Sequence, residues 1–456
     1  MAMDPAFDVV VIGAGGAGLA AASTAASCGA RVLLVEADKT LGGSTALSGG
    51  VVYAAGTSLQ RSCGVEDDPA AMARYYMAVN QYKLEAALVS RLCHDSAAVF
   101  EWLVSLGVSF PEANLYVSGV DGIRRGHRAA GHGAEIAAAL EASLVGQSVE
   151  TAVATRVRSL VRDETGAVCG INVEGEDVTC RAVVLATGGF GANPTMLAEH
   201  FPDALRHPDL AWYIGSRQCK GDGIAMGLTA GGELSTRNRG LLLLTPGFAK
   251  ELEVYLPGWV AFVNHEGRRF IDETVEYSVH AEVIREQTAG ECFAVFDEAS
   301  RLAATGKPAP NWSAERLAHF AATGHVRSAA TVEALAEDIG VRAEAMAETI
   351  AAYNRNCAAG HDSDFFKDPQ WLRPIATPPF YAARVRPAVI CWTGTGLRID
   401  AQARVLDRAG RPIPGLFAAG ETTGGMFGPC YAGGGASITN ALVYGRVAGR
   451  NAAGAA

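Results

Sequence analysis

The chain has 456 residues, of which 49% are hydrophobic and 19% charged, enough to bury a large core and to build two or three domains. A net charge of −10 argues against nucleic acid as a partner, because a phosphate backbone calls for clustered Lys and Arg. The basic cluster "GIRRGHR" at 122–128 is too short to reverse that.

The opening "MAMDPAF" carries no positively charged leader or cleavage site, and the apolar stretch behind it is broken by glycines, so neither a signal peptide nor a membrane span is expected. Next comes "DVVVIGAGGAGLAAASTAASCGARVLLVEA". A β-branched run, Val9 to Ile12, leads into Gly13-x-Gly15-x-x-Gly18, then an alanine-rich helical stretch, then a second strand, Val32 to Val35, that ends at Glu36. Gly13 permits the tight turn, Gly15 lets backbone meet a pyrophosphate, and Gly18 lets the helix pack on the sheet. The helix N-terminus, with Gly16 and Ala17, offers N–H groups to phosphates. Glu36 is placed to hold ribose hydroxyls.

A second glycine-rich loop follows, "LGGSTALSGGVVYAAGT" at 41–57, with hydroxyls at Ser44, Thr45 and Ser48 among Gly43, Gly49 and Gly50. The strand "AVVLATGGFGAN" at 182–193 turns at Ala186, Thr187 and Gly188, and "PIPGLFAAGETTGG" at 412–425 turns at Gly420 and Glu421. Polar, glycine-rich loops at the ends of several apolar runs fit one long ligand, longer than NAD requires. Strands alternating with helices up to residue 237 and again from 377 predict one discontinuous α/β, Rossmann-like domain, 1–237 and 377–456. The section 238–376 opens at "LLLLTPG" and includes the strand pattern "VAFVNHEGRRFIDE" and helical patterns near 313–360, which predict a smaller α+β domain, with prolines 374, 378 and 379 marking the return. Ten cysteines show no C-x-x-C spacing, so no metal or cluster site is expected, and reduced thiols fit a cytoplasmic protein. Near the end, "GPCYAGGGASI" sets Tyr431 among glycines.

Five ordered blocks, "VIGAGGAG", "GGSTALSGG", "ATGGFGAN", "GLFAAGE" and "GASITNALVYGRVAG", resemble the flavoprotein family of fumarate reductases, succinate dehydrogenase flavoprotein subunits and 3-ketosteroid dehydrogenases. The resemblance covers nearly the whole chain and implies FAD. By that likeness Glu36 and Ala37 hold the adenosine ribose, Val153 lies near the adenine, Asp222 joins the cofactor site, and Glu421 reaches the ribitol. Ala436, Ser437 and Ile438 border the isoalloxazine. Members with covalent flavin carry a histidine about where Ser44 stands, so non-covalent FAD is implied. The smaller domain resembles the family's capping domain.

Fumarate reductases of this family place a catalytic arginine in "GRRFIDETVEYSVH" at the position of Tyr277, and another arginine at the C-terminal loop, where this chain has Tyr431 and glycines. A dicarboxylate calls for the charged, bidentate fork of Arg, whereas a ketone calls for a neutral donor. The spacing Tyr431-x-x-x-Gly435 resembles the ketosteroid dehydrogenases, in which a tyrosine hydroxyl and a glycine N–H hold the ketone oxygen and a second tyrosine, matched by Tyr277, moves the α-proton. The block "GGVVYAAGTSLQRSCGVEDDPAAMARYY" resembles their 4-ene-forming branch. Tyr116 is a candidate third phenol and Tyr53 a packing residue that could face substrate. His127, His132, Arg268, Arg269 and Glu273 read as structural. The resulting expectation is α,β-dehydrogenation of a cyclic ketone, a 3-ketosteroid or a smaller oxocyclohexane, with electrons passed to a quinone, an electron-transfer protein or O2. The alternative is an ene-reductase of an enone or unsaturated carboxylate.

Overall fold

The apolar run at Val9–Ile12 lies in a strand, Phe7–Ile12, whose neighbours on both sides run parallel to it. In the computed structural model, residues 5–235, 237–248, 256–307 and 309–455 are described; Met1–Asp4, the start of the segment read for a leader, lie outside them. The chain divides into two compact units. One takes residues through Asp203, Gly215–Leu241 and Cys391 onward, and the other takes Ala204–Ile214 and Leu242–Ile390.

The first unit is built on an eight-stranded sheet. Its parallel strands stand in the order Pro412–Ala418, Glu176–Leu185, Phe7–Ile12, Val32–Val35, Val149–Ala152, and Arg404–Leu406 adds antiparallel to the first of these. Buried β-branched runs suit a parallel sheet covered on its faces. The register puts Ala418, Leu185, Ile12, Val35 and Ala152 side by side, so these five strands end in one row. Helix Gly16–Ser27 and the C-terminal helix Ala436–Gly454 pack together closely. A Cβ on Gly445 would lie 2.4 Å from Ala17 O, and one on Gly449 2.2 Å from Ala21 O, so the contact is backbone against backbone. Small residues permit that approach and larger ones would part the helices.

The second unit centres on the strand Phe380–Thr393, most of which lies in it, paired antiparallel with Cys292–Asp297 and Val326–Ala329. Ala261–Val263 pairs with Cys292–Asp297. Helices Val332–Ile339 and Ala343–Ala359 close a core of Val263, Val295, Leu335, Met346, Ile350 and Tyr353. Two features differ from the sequence reading. The strand pattern "VAFVNHEGRRFIDE" pairs only through Ala261–Val263, because Asn264 N–H bonds Arg268 C=O and Gly267, at φ +80°, turns the chain. The return to the first unit falls at Cys391, beyond the proline segment, because Phe380–Val385 is fully engaged with Cys292–Asp297. The chain leaves the second unit only after those pairings are made.

Replacing Gly445 and Gly449 together by Ala should lower the stability of the apoprotein by about 1–3 kcal/mol per site through overpacking. Urea midpoints measure it, and a midpoint unchanged from wild type would mean that the helices are not held at backbone contact.

Candidate functional site

Four of the five strands of the parallel row are followed at once by a residue the sequence singled out. Gly13 follows Ile12, Glu36 follows Val35, Val153 follows Ala152 and Ala186 follows Leu185, while Gly420 and Glu421 follow Ala418 after one residue, Ala419. Open parallel sheets bind ligands outside the carboxyl ends of their strands, where the order reverses. Here that point lies between Phe7–Ile12 and Glu176–Leu185. Gly13, at φ +97°, would put a Cβ 2.4 Å from Ala186 O, and Gly18 one 1.7 Å from Gly13 O, so neither accepts a side chain. Gly15 has open space in front of it, as backbone approached by a pyrophosphate requires.

Glu36 is buried, and its two carboxylate oxygens accept Ala14 N–H at 2.7 Å and Asp38 N–H at 2.8 Å. That fixes the carboxylate at the strand end, with Ala37 between the two grips. The hydroxyl loop folds as a short helix, Gly43–Leu47, laid against the fingerprint: Gly16 N–H donates to Thr45 Oγ1 at 3.1 Å. Ser48 Oγ closes on Thr45 C=O, and Gly50 N–H donates to Ser48 Oγ, with Gly49 C=O facing His132. Ser44 Oγ accepts Ser216 N–H at 3.0 Å and stands 3.5 Å from Cys219 Sγ. Thr187 Oγ1 accepts Gly223 N–H, and Gly188 C=O accepts Thr422 Oγ1. Asp222 opens the helix Asp222–Thr229 and is ion-paired with Arg156. Val153, after the strand end at Ala152, is 44% exposed. The donor set, the glycine cradle and the two strand-end carboxylates fit FAD.

Glu421 is enclosed by Thr393, whose N–H and Oγ1 donate to its Oε1 at 2.8 and 2.7 Å. Burial pushes its carboxyl up to about 7, against the hydrogen bonds from Thr393 and Gly189 that favour the ionised form. A polyol hydroxyl would be a natural further donor.

Tyr431 is 8% exposed, stacks on Phe427 and tilts against Trp392. Its hydroxyl accepts Ser437 N–H at 2.8 Å and donates to Ser437 Oγ at 2.9 Å. Burial holds the phenol well above its ordinary value, so it stays a neutral donor. Gly435, at φ +101° against Val51 O, caps the helix that begins at Ala436, and Ser437 and Ile438 lie in that helix's first turn. The amides beside Gly435 are engaged, Gly434 N–H on Ser118 C=O and Ala436 N–H on Gly433 C=O. Tyr116 sits in a three-stranded sheet with Val51–Tyr53 and Gly126–Arg128, under the Arg128 guanidinium at 4.9 Å.

Tyr277 belongs to the second unit, where it opens helix Tyr277–Arg285 behind Glu276. Glu276 Oε1 is buried without a hydrogen-bond partner, and burial pushes that carboxyl up to about 8. His280 on the same helix is held down to about 4 by burial. Arg269 forks onto Glu273 at 2.9 Å and meets Asp362 at 2.9 Å, with Lys367 at 3.1 Å from Glu273. These four form a buried ionic support. His127 bonds Thr57 Oγ1 and Arg125 C=O inside the first unit.

The structure thus gathers the nucleotide loops, Glu421, Tyr431, Gly435, Ser437 and Tyr116 in one unit and puts Tyr277 in the other. Sequence reasoning overlooked Thr393, Trp392, Phe427, Asn80 and Tyr75. Tyr75 lies in the block quoted at 49–76 but was not singled out there, Phe427 stacks on Tyr431 four positions on, and the others reach the site across the chain, Asn80 across 350 positions.

Residues 8–438 match the model of the FAD binding domain family. The chain is 31% identical over 98% of its length to 77% of a fumarate reductase (cytochrome) of Shewanella frigidimarina, and 32% identical, again over 98%, to 74% of a urocanate reductase of Eggerthella lenta. Among solved structures it is similar to the 3-ketosteroid-Δ4-(5α)-dehydrogenase of Rhodococcus jostii RHA1 in complex with 4-androstene-3,17-dione. The TM-score is 0.82 and the identity 30%, covering 99% of this chain and 97% of that one.

A carboxyl whose folded value is raised contributes stability that is complete below the unfolded value and lost as pH rises through the folded one. For Glu421 in the apoprotein that window runs from 4.5 to about 7, and for Glu276 from 4.5 to about 8. His127 and His280, lowered from 6.5 to about 4, act in the opposite sense, losing their contribution as pH falls through that range. Comparison with variants separates the two. Glu421→Gln apoprotein should gain on wild type by on the order of 2 kcal/mol between pH 5 and pH 8, measured by urea unfolding; a difference that does not change with pH would contradict the raised carboxyl.

Proposed function

This chain belongs to the FAD binding domain family, with the flavoproteins that include fumarate reductases and 3-ketosteroid dehydrogenases, and is an FAD-dependent oxidoreductase; from that premise we propose that it desaturates a cyclic ketone beside its carbonyl. The observation that carries this reading is Tyr431. Its buried hydroxyl is fixed by Ser437, and the groups that meet it, Ser437, Phe427 and Trp392, are all uncharged. A carboxylate brought there would lose water without gaining a cation. A ketone oxygen would gain a donor.

In this reading the unit holding the parallel sheet is the FAD-binding domain and the other is the capping domain. Glu36, the Gly13–Gly18 turn, Ser44, Thr45, Thr187, Asp222 and Glu421 hold the cofactor. Bound FAD would supply the two-electron acceptor for the hydride leaving the β-carbon. Tyr431 O–H turns from Ser437 Oγ to the ketone oxygen, and Gly435 N–H joins it, stabilising the enolate charge as it develops. Tyr277, as phenolate, takes the α-proton. One C–H bond loses a proton and its neighbour a hydride, leaving an α,β-unsaturated ketone and an electron pair for an external acceptor, a quinone, an electron-transfer protein or O2. The substrate is a 3-ketosteroid or a smaller oxocyclohexane. Among the described residues no helix is long and apolar enough to cross a membrane.

One observation favours a second reading. The relatives at 31 and 32% identity are named as reductases, so the same groups run in reverse would make an ene-reductase of an enone or an unsaturated acid, with Tyr277 returning the proton.

The deciding experiment is anaerobic reduction of the purified holoprotein, followed by flavin absorbance, with 3-ketosteroids, simple cyclic ketones and succinate. Bleaching by a ketone is expected. Tyr431→Phe and Tyr277→Phe should keep FAD and slow bleaching about 100-fold or more. Bleaching by succinate alone, or reoxidation of reduced protein by fumarate without any ketone reaction, would assign the second reading.

A further inference from the structure

Tyr431 lies between two residues whose backbones are held by the same helix. Helix Pro69–Val79 ends at Asn80, which is fully buried. Asn80 donates Nδ2–H to Tyr76 C=O at 3.1 Å, which leaves its Oδ1 to accept Cys430 N–H at 3.0 Å. Tyr75, on the same helix, donates its hydroxyl to Ala432 C=O at 2.7 Å and accepts Val120 N–H at 3.0 Å. The two grips fall on the residue before Tyr431 and the residue after it.

The surroundings are shaped for those grips. A Cβ on Gly428 would come 2.7 Å from Asn80 Oδ1, and one on Gly433 2.5 Å from the Tyr53 ring, so the glycines let the loop lie on this support. Tyr75 is held in turn by Arg125, whose guanidinium stands 5.5 Å from its ring centre. Arg125 is fully buried, forked onto Asp67 at 2.7 and 2.9 Å and paired with Asp121 at 2.5 Å. A buried charge satisfied on several sides cannot shift without leaving a carboxylate unpaired. The phenol is therefore set on a rigid base.

We propose that Asn80 and Tyr75 are positioning residues that bracket Tyr431 and aim its hydroxyl. The inference rests on the reading of Tyr431 as the donor to the ketone oxygen, where a displacement of about 1 Å can cost about 100-fold in rate. Loop backbone alone would leave Tyr431 a range of main-chain positions; hydrogen bonds to Cys430 N–H and Ala432 C=O, on the residues either side of it, narrow that range.

Two measurements test it. In flavin bleaching by the reactive ketone, Tyr75→Phe should slow reduction about tenfold in the wild-type background and less than twofold in a Tyr431→Phe background, because groups acting through one another are not additive. Equal factors in both backgrounds would mean that Tyr75 acts on stability alone and would overturn the proposal. Independently of any substrate, 3-fluorotyrosine placed at position 431 of the FAD-loaded protein should give one narrow 19F resonance, and Asn80→Ala or Tyr75→Phe should shift, split or broaden it. A resonance unchanged in both variants would also overturn the proposal. Full activity in Tyr431→Phe would remove the functional reading while the 19F result stands or fails by itself.

Discussion

The backbone contact between helix Gly16–Ser27 and helix Ala436–Gly454 joins the two ends of the chain at one place. The first helix begins at the glycine-rich turn after the first strand, and the last begins at Ala436, behind its cap Gly435 and just before Ser437. Because Gly445 and Gly449 meet Ala17 and Ala21 without side chains between them, both helix N-termini are brought to the same edge of the sheet. Partial positive charge is concentrated there. Glu421, three residues past the strand row, and Tyr431, hydrogen-bonded to the start of the last helix, take their positions from that arrangement.

The site joins two kinds of chemistry. At one end, backbone N–H groups and strand-end carboxylates stand among glycines, an arrangement suited to phosphates and hydroxyls because main chain can approach there. At the other end stands the Tyr431 phenol, packed on Phe427 and Trp392. Burial keeps Tyr431 neutral, which suits a hydrogen-bond donor and does not suit a carboxylate clamp. The charges near the loop, Arg125 with Asp67 and Asp121, are spent on each other. They give the loop rigidity without offering a cation to a ligand.

Much of the nucleotide face was legible in the sequence because each part of it is local: a β-branched run, a glycine turn and an acid at the next strand end all fall within one stretch of chain. The row itself was not legible, since the register that sets Ala152, Val35, Ile12, Leu185 and Ala418 side by side is a property of pairing. Asn80 and Tyr75 were invisible for the same reason, because an amide and a phenol in an ordinary amphipathic helix show nothing of a partner 350 positions away. The strand pattern after Trp259 misled beyond Val263 because Asn264 N–H bonds Arg268 C=O and Gly267, at φ +80°, turns the chain. A tight turn ended the strand where the residue pattern alone would have continued it.

The central claim is that a neutral phenol stands where a ligand oxygen must be met. Titrating oxidised holoprotein with 4-androstene-3,17-dione, cyclohex-2-enone and fumarate, and reading the flavin absorbance shift as binding, tests that most directly. The account predicts that an enone perturbs the flavin, that Tyr431→Phe weakens its binding about tenfold, and that fumarate does neither. Tight fumarate binding indifferent to Tyr431, with no response to either enone, would contradict it.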